Sequence, residues 1–500
     1  MQDRRAFLKG LGGAAAGAAL VAGWSPLRKS WVRRAWADEP FAPLPPLDGT
    51  VHTDPDTLAR FTEDFGRLLH REPAAVLKPG SVDDIVAIVR YARRHGLRVA
   101  VNGQSGTDDQ RESHSQYGQA QVEGGIAIDL KPLAAVHWID GGAQVAEVGA
   151  GLRWAELFDA AAAFGLAPAV MTDYMHLSIG GTLSVGGIGG HTFRSGTQAD
   201  QVVELEVVTG AGDRVRCSRS ANPELFDAVL AGLGQVAIIV RAKLKLAPAT
   251  SHAMVFNLYY DDLDTYVRDH VALVDERRFD YQEGSLAPRE DGPGWRYAIE
   301  VVKYFEAPDQ PDPDALLAGL SDDRPSAEIF PTTYREWQFR IDGFVAFLKS
   351  QSLWAAPHPW LSLWIPGSQT ARYMDELAAR LTPADLGFGA ALLYPIDTRT
   401  VERPLFRLPD ERIAFHLSLL RFPPDDPAIA AAMVEDNRRI FDEVVALGGM
   451  RYAPGAIPDM TSRDWQRHFR PEWGRLVSAK RRYDPDDVLT PGWGLFPWAR

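Results

Sequence analysis

The period at which apolar residues recur changes along this chain, and each change predicts an element. A short apolar run at 74–77 reads as a strand. Val82, Ile85, Val86 and Val89 then recur at helical spacing, with Ser81 as cap, Asp84 completing a capping box and Gly96 ending the helix. Strands are expected at 97–101, 126–130 and near 145–148, and a helix over 154–164 stops at Gly165. Two strand-like runs, 204–209 and 214–218, flank Gly210-Ala211-Gly212-Asp213, a hairpin signal, and 238–246 closes this part as a strand. The order is α+β. No Gly-x-Gly-x-x-Gly sits at a strand–helix junction, which argues against a Rossmann nucleotide site.

From about residue 247 the texture changes to long mixed segments with bulky aromatics: WRYAIEVVKYFE at 295–306, APHPWLSLWIP at 356–366 and AALLYPIDT at 390–398. Apolar and aromatic groups with few ionisable ones suit a pocket for a small, flat substrate. Most of these aromatics read more simply as core strands of a cap domain. The tail at 481–496, RRYDPDDVLTPGWGLF, is turn-rich and reads as a return to the first domain.

Five hundred residues, 46% of them hydrophobic, can bury two ordinary cores. The single cysteine, Cys217, excludes an intrachain disulfide, and no Cys/His cluster suggests a structural zinc, so no metal is expected. Residues 1–37 read as a leader. Asp3-Arg4-Arg5-Ala6-Phe7-Leu8-Lys9 is a twin-arginine signature, the apolar run 10–23 is too short to span a bilayer comfortably, and Ala35-Trp36-Ala37 offers a cleavage site. The expected location is periplasmic or secreted, with no stable membrane insertion after cleavage. Because the leader carries seven Lys or Arg against one acid, its removal takes the formal charge from −13 to −19. So acidic a surface disfavours nucleic acid and anionic membrane as partners.

Two stretches carry the chemistry. SHSQYGQA at 113–120 sets one His between two hydroxyls in a loop that begins at Asn102-Gly103-Gln104, and such a loop can turn several N–H donors onto a pyrophosphate. MTDYMHLSIGGTLSVGGIGGHTFRSG at 171–196 puts Asp173 ahead of small residues that let backbone lie against a flat ligand. With ANPELFDAVLAGLGQ (221–235), DYQEGS (280–285), YAIE (297–300), PHPWL (357–361), LLYP (392–395), SLLR (418–421) and the tail's YDP…LTPG, in that order, the chain resembles the cytokinin dehydrogenases, within the vanillyl-alcohol-oxidase or PCMH type of flavoenzyme.

That resemblance implies an α+β fold: a discontinuous, two-lobed FAD-binding domain at about 38–246 and 455–500, with an α+β substrate cap at about 247–454. It implies FAD as cofactor, tethered covalently through His114. Gly103 and Gln104 at the start of the loop, Ser113, Ser115 and Gln119 on its far side, and Asp173 are expected to bind FAD; Ser178, Ser184, Ile188 and Ile239 fall where the family contacts it, Ser178 replacing a Thr, and Tyr452 and Thr490 match the family's tail positions. Asp173 aligns with the acid that takes or orients the substrate N–H, and Glu283 reaches from the cap as a second acceptor; two such acids should perturb each other. The chain departs from its relatives by inserting 105–112 before His114, by Ser113 where a Gly precedes the His, and by Trp493 where plant relatives have Gln. The expected partners are a small-molecule substrate, a secondary amine of the N6-substituted adenine type, and an electron acceptor, oxygen or quinone. An alcohol or sugar oxidase on the same scaffold is the alternative, and a non-catalytic flavin-binding protein the third reading.

Overall fold

The computed structural model describes residues 43–103, 113–289 and 292–496, with backbone alone for 23–25, 30–33 and 36–40. Gln104, the insertion at 105–112 and most of the expected leader lie outside the described residues.

In the first lobe, Ala75–Lys78, Ile126–Asp129 and Val99–Asn102 pair in parallel, and Thr50–His52 adds an antiparallel edge. The connecting helix, Val82–His95, starts at Ser81 in the expected capping box and stops at left-handed Gly96. Acids in its first turn and Arg93, Arg94 and His95 in its last suit the helix dipole. Its stripe of Val82, Ile85, Ile88, Val89 and Ala92 is buried. The second lobe is antiparallel and built around the long strand Ala237–Pro248, which pairs with Val202–Thr209 and Val145–Gly149. The hairpin partner Arg214–Ser218 lies outside Val202–Thr209. Cys217 is buried there, its thiol pushed up to about 12 by burial and then by Glu204, which makes it unreactive.

The middle of the chain forms one eight-stranded antiparallel sheet in the order Glu328–Thr333, His252–Tyr260, Trp295–Phe305, Tyr281–Pro288, Ala390–Asp397, Ile413–Leu420, Leu361–Pro366, Met450–Arg451. Strand period separates its two faces. Ile299, Val301, Leu363, Leu393, Phe415 and Leu417 pack under the helices Leu263–Glu276, Gly367–Ala378 and Pro427–Ala446. The alternate residues (Glu283, Ser285, Glu300, Ser362, Tyr394, His416, Ser418) point to the opposite face, toward the first two lobes.

The tail packs beside the first lobe. Thr490 donates its N–H to the Val99 carbonyl, and Val99 donates to Val488, so the tail extends the first sheet. Buried Lys480 fixes the turn by pairing with Asp484 at 2.7 Å and Asp487 at 2.9 Å, and Asp484 accepts from the N–H groups of Val488 and Leu489. Among the described residues no helix is long and apolar enough to cross a membrane.

Candidate active site

Between the two lobes and the polar face of the large sheet lies a cavity of about 670 Å³, within the size range of cofactor and ligand pockets. It gathers residues from segments remote in sequence. Gly103, Ser113, His114, Ser115, Gln119, Asp173, Ser178, Ser184, Ile188, Ile239, Glu283, Tyr452 and Thr490 all line it. The first-lobe loop and the 178–185 helix meet so closely that a Cβ on Gly103 would stand 2.0 Å from Ser178 Oγ. Local bonds hold the polar groups in place: Ser113 Oγ to Ser115 Oγ at 2.9 Å, Ser184 Oγ to the Gly180 carbonyl at 2.7 Å, and Thr490 Oγ1 to the Gly234 carbonyl at 2.9 Å. The backbone N–H groups of Gly187 and Ile188 meet the Tyr452 hydroxyl. Trp493 takes no part. Its Nε1 donates to the Tyr117 carbonyl, and its ring packs on Trp465 and under Arg451.

At one end His114 sits in an aromatic box. Its ring is parallel to Tyr174 at 5.1 Å, edge-on to Trp360 at 5.0 Å, and 4.7 Å from Phe65, which in turn stacks on His358 at 4.1 Å. Burial first, and then His358, pull the His114 imidazole down to about 3. It is therefore neutral, with a ring lone pair available for bonding, and its buried Nε2 has no partner among the described residues.

The other end is charged. Tyr281 donates to Asp173 Oδ1 at 2.7 Å, and Arg340 Nη2 donates to the same oxygen at 2.8 Å. The same nitrogen also reaches the Tyr281 hydroxyl and, at 3.4 Å, Glu300 Oε1. Tyr281 comes this close to Asp173 because position 190 is glycine: a Cβ there would be 2.5 Å from the tyrosine ring. On the sheet, Glu283 and Glu300 are direct cross-strand partners. Two ionised carboxylates about 5 Å apart repel by about 3 kcal/mol at an effective dielectric near 20. Burial, then Asp173 and Glu300, raise the Glu283 carboxyl well above its ordinary range, against the pull of Arg340. Burial and Asp173 raise Glu300 as well, again opposed by Arg340. The shift moves Glu283 toward its protonated form, which can donate a hydrogen bond. Beside it Tyr394 pairs across strands with His416, whose imidazole burial draws down to about 3 and whose ring nitrogens have no partner among the described residues.

The comparisons with known proteins fit this geometry. Residues 73–218 match the family described as FAD binding domain, and residues 290–496 match "Cytokinin dehydrogenase 1, FAD and cytokinin binding". Cytokinin dehydrogenase 4 of Oryza sativa subsp. japonica is 34% identical, covering 91% of this chain and 91% of its own. The chain belongs to the cytokinin dehydrogenase family. Cytokinin dehydrogenase 2 of Arabidopsis thaliana is 31% identical over 90% of this chain and 94% of its own. The "Uncharacterized oxidoreductase ORF5 in fasciation locus" of Rhodococcoides fascians is 36% identical, covering 90% and 99%. Among solved structures, 6-hydroxy-D-nicotine oxidase from Arthrobacter nicotinovorans superposes with a TM-score of 0.66 at 22% identity, over 90% of this chain and 98% of its own, a likeness of fold alone. As a family member this protein is an FAD-dependent oxidoreductase of α+β PCMH-type fold.

The cavity suits the cofactor. Ser113, Ser115, Gln119, Ser178, Ser184 and Thr490 would hold FAD through hydroxyl and amide groups, and a neutral His114 faces the same space. The sequence reading passed over Arg340, Tyr281, Glu300, Tyr394 and His416. Tyr281, Glu300 and Tyr394 lie inside the motifs DYQEGS, YAIE and LLYP, and period 2 through Tyr281-x-Glu283-x-Ser285 places those three on one face. Arg340 has no comparable signal.

Proposed function

We propose that this cytokinin dehydrogenase-family protein oxidises a secondary amine of the N6-substituted adenine type. The observation that carries this is the state of Asp173: Oδ1 is occupied by Tyr281 and Arg340, and among the described residues none is seen to donate to Oδ2. A carboxylate so held accepts the proton of a substrate N–H at Oδ2. FAD, when bound, supplies the acceptor for the hydride leaving the neighbouring carbon. Glu283, biased toward its protonated form, donates to a ring nitrogen of the substrate and orients it. Leu392, Leu420, Phe422 and Phe344 give the substrate apolar surroundings.

His416 and Tyr394 are the groups that favour the alternative, an alcohol or sugar oxidase, since a hydroxyl substrate calls for such a base. Burial draws the His416 imidazole down to about 3, so it is a weak base at neutral pH. Anaerobic mixing of the purified holoprotein with isopentenyladenine should bleach the flavin spectrum. Bleaching by alcohols or sugars and not by the amine would select the alternative, and bleaching by none of them would favour the non-catalytic reading.

We further propose that His114 carries the flavin covalently. Its neutral imidazole and its place in the cavity support this. Yellow fluorescence should stay on the polypeptide in a denaturing gel and be lost in His114→Ala; free flavin in the wild-type supernatant would refute the tether. For residues 1–37 we propose twin-arginine export to the periplasm or beyond, checked by an exported product that begins at Asp38. The re-oxidant, oxygen or quinone, is to be read from stopped-flow reoxidation.

A further inference from the structure

Arg340 stands between two helices, Tyr334–Gln338 and Ile341–Ser350, and its guanidinium turns inward from the cap toward an acid of the flavin lobe. It is held flat. The guanidinium carbon lies 4.0 Å from the ring centre of Trp337 and 5.0 Å from that of Tyr281, and Nη1 donates to the Trp337 carbonyl at 3.4 Å. A planar cation stacked on two aromatic faces has little freedom, so where it points is fixed by packing. Its Nη2 points at Asp173 Oδ1.

We propose that Arg340 is the positioning residue of the active site: it fixes Asp173 through Oδ1 so that Oδ2 alone is presented to the substrate amine. This rests on the reading above that Asp173 accepts the N–H proton. The proton passes from substrate nitrogen to Oδ2; Arg340 gains and loses none.

Three features argue for this role beyond simple charge pairing. Both bonds to Asp173, from Tyr281 and Arg340, fall on one oxygen, so the carboxylate is oriented as well as neutralised. Arg340 also reaches Glu300 at 3.4 Å, and so keeps the paired acids of the sheet from competing for the same space. Finally, the pair spans the junction of cap and flavin lobe, so acid and substrate-binding face are brought into register by one side chain.

The test uses the flavin-loaded full-length protein. Arg340→Met keeps the bulk of the stem and removes the donor; Arg340→Lys keeps a charge without the planar fork. In Arg340→Met the rate of anaerobic flavin reduction by isopentenyladenine should fall about 100-fold, the scale of an ångström-level misplacement. The dissociation constant for the substrate should change less than threefold, and guanidinium ion added to the solution should restore part of the rate. Arg340→Lys should fall between Met and wild type. A residue that serves only the fold would lower flavin content and thermal stability and would show no rescue; unaltered reduction in Arg340→Met would also overturn the proposal. A crystal structure of Arg340→Met tests the claim without turnover: Asp173 should rotate away from its wild-type position, and an unmoved carboxylate overturns it. If the wild type is not reduced by the amine at all, the proposed activity fails, and this structure still decides the role of Arg340.

Discussion

The two ends of the cavity are built on opposite principles. Around His114 the walls are aromatic rings, the His114 imidazole is neutral, and geometry comes from packing. Around Asp173 the walls are charged, four ionisable groups from two parts of the molecule meet, and geometry comes from hydrogen bonds that converge on one carboxylate oxygen. The proposed covalent anchor would need a fixed, uncharged partner, and the proposed proton transfer a group whose charge is tolerated in both states. The difference predicts that damage at the first end appears as lost stability or flavin, and damage at the second as lost rate.

The largest effect should come from Asp173→Asn. The amide is nearly isosteric and keeps an oxygen for Tyr281 and Arg340, yet it cannot take a proton. Flavin content should persist while reduction slows by about 10²- to 10⁴-fold. If flavin is lost together with activity, Asp173 mainly holds the cofactor and the contrast between the ends collapses.

Phe65→Ala probes the aromatic end. Phe65 is 1% exposed and touches His114, Trp354, His358 and Trp360, so its removal leaves a cavity lined by rings. The expected cost is about 3–5 kcal/mol in urea unfolding, with less flavin retained after denaturation. A variant that keeps full stability and loses rate instead would reverse the assignment of the two ends.

How much of this could be read from the chain follows the same division. The flavin-lobe residues lie in contiguous motifs with local cues: the Ser81/Asp84 capping box, the hydroxyls flanking His114, the small residues after Asp173. The acidic end is made by register. Glu283 meets Glu300, and Tyr394 meets His416, only because particular strands pair at particular offsets, and a one-residue slip would turn either set to the helix-covered face. Arg340 was invisible for a further reason. It sits between two helices with no periodic pattern, and its partner lies 167 positions away. Burial, which raises the Glu283 carboxyl, is likewise not written in the local sequence.

Titration separates the ends more gently. His114 and His416 are drawn from 6.5 to about 3, so the folded state binds fewer protons than the unfolded one between those values. Their contribution is complete above about pH 6.5 and is lost as pH falls toward 3, by up to about 1.4 kcal/mol per pH unit for each. Glu283 has the opposite sign. Its folded value lies above the unfolded one, so its contribution is present below about 4.5 and declines as pH rises toward the folded value. Glu283→Gln should therefore be more stable than wild type at pH 8 and gain almost nothing at pH 4. Equal unfolding curves at both pH values would place Glu283 in a less costly environment than its burial implies.

The smallest effect isolates what holds the helix Ile341–Ser350 over the cavity. Two ion pairs reach it from the flavin lobe, Arg340 with Asp173 and Asp342 with His176 at 3.1 Å. The second is part-exposed, with 41% of the Asp342 side chain open to solvent, and such pairs contribute about 0.2–1 kcal/mol and weaken in salt. Val345 and Leu348 on the same helix are buried against Trp354 and Trp360, so apolar packing carries most of its attachment. Asp342→Ala should accordingly lower stability by no more than about 1 kcal/mol and leave the rate of flavin reduction within twofold of wild type. A drop in rate as large as that of Arg340→Met would mean that the helix as a body, and not one guanidinium, sets the position of Asp173; an unchanged rate assigns that task to the single side chain at its start.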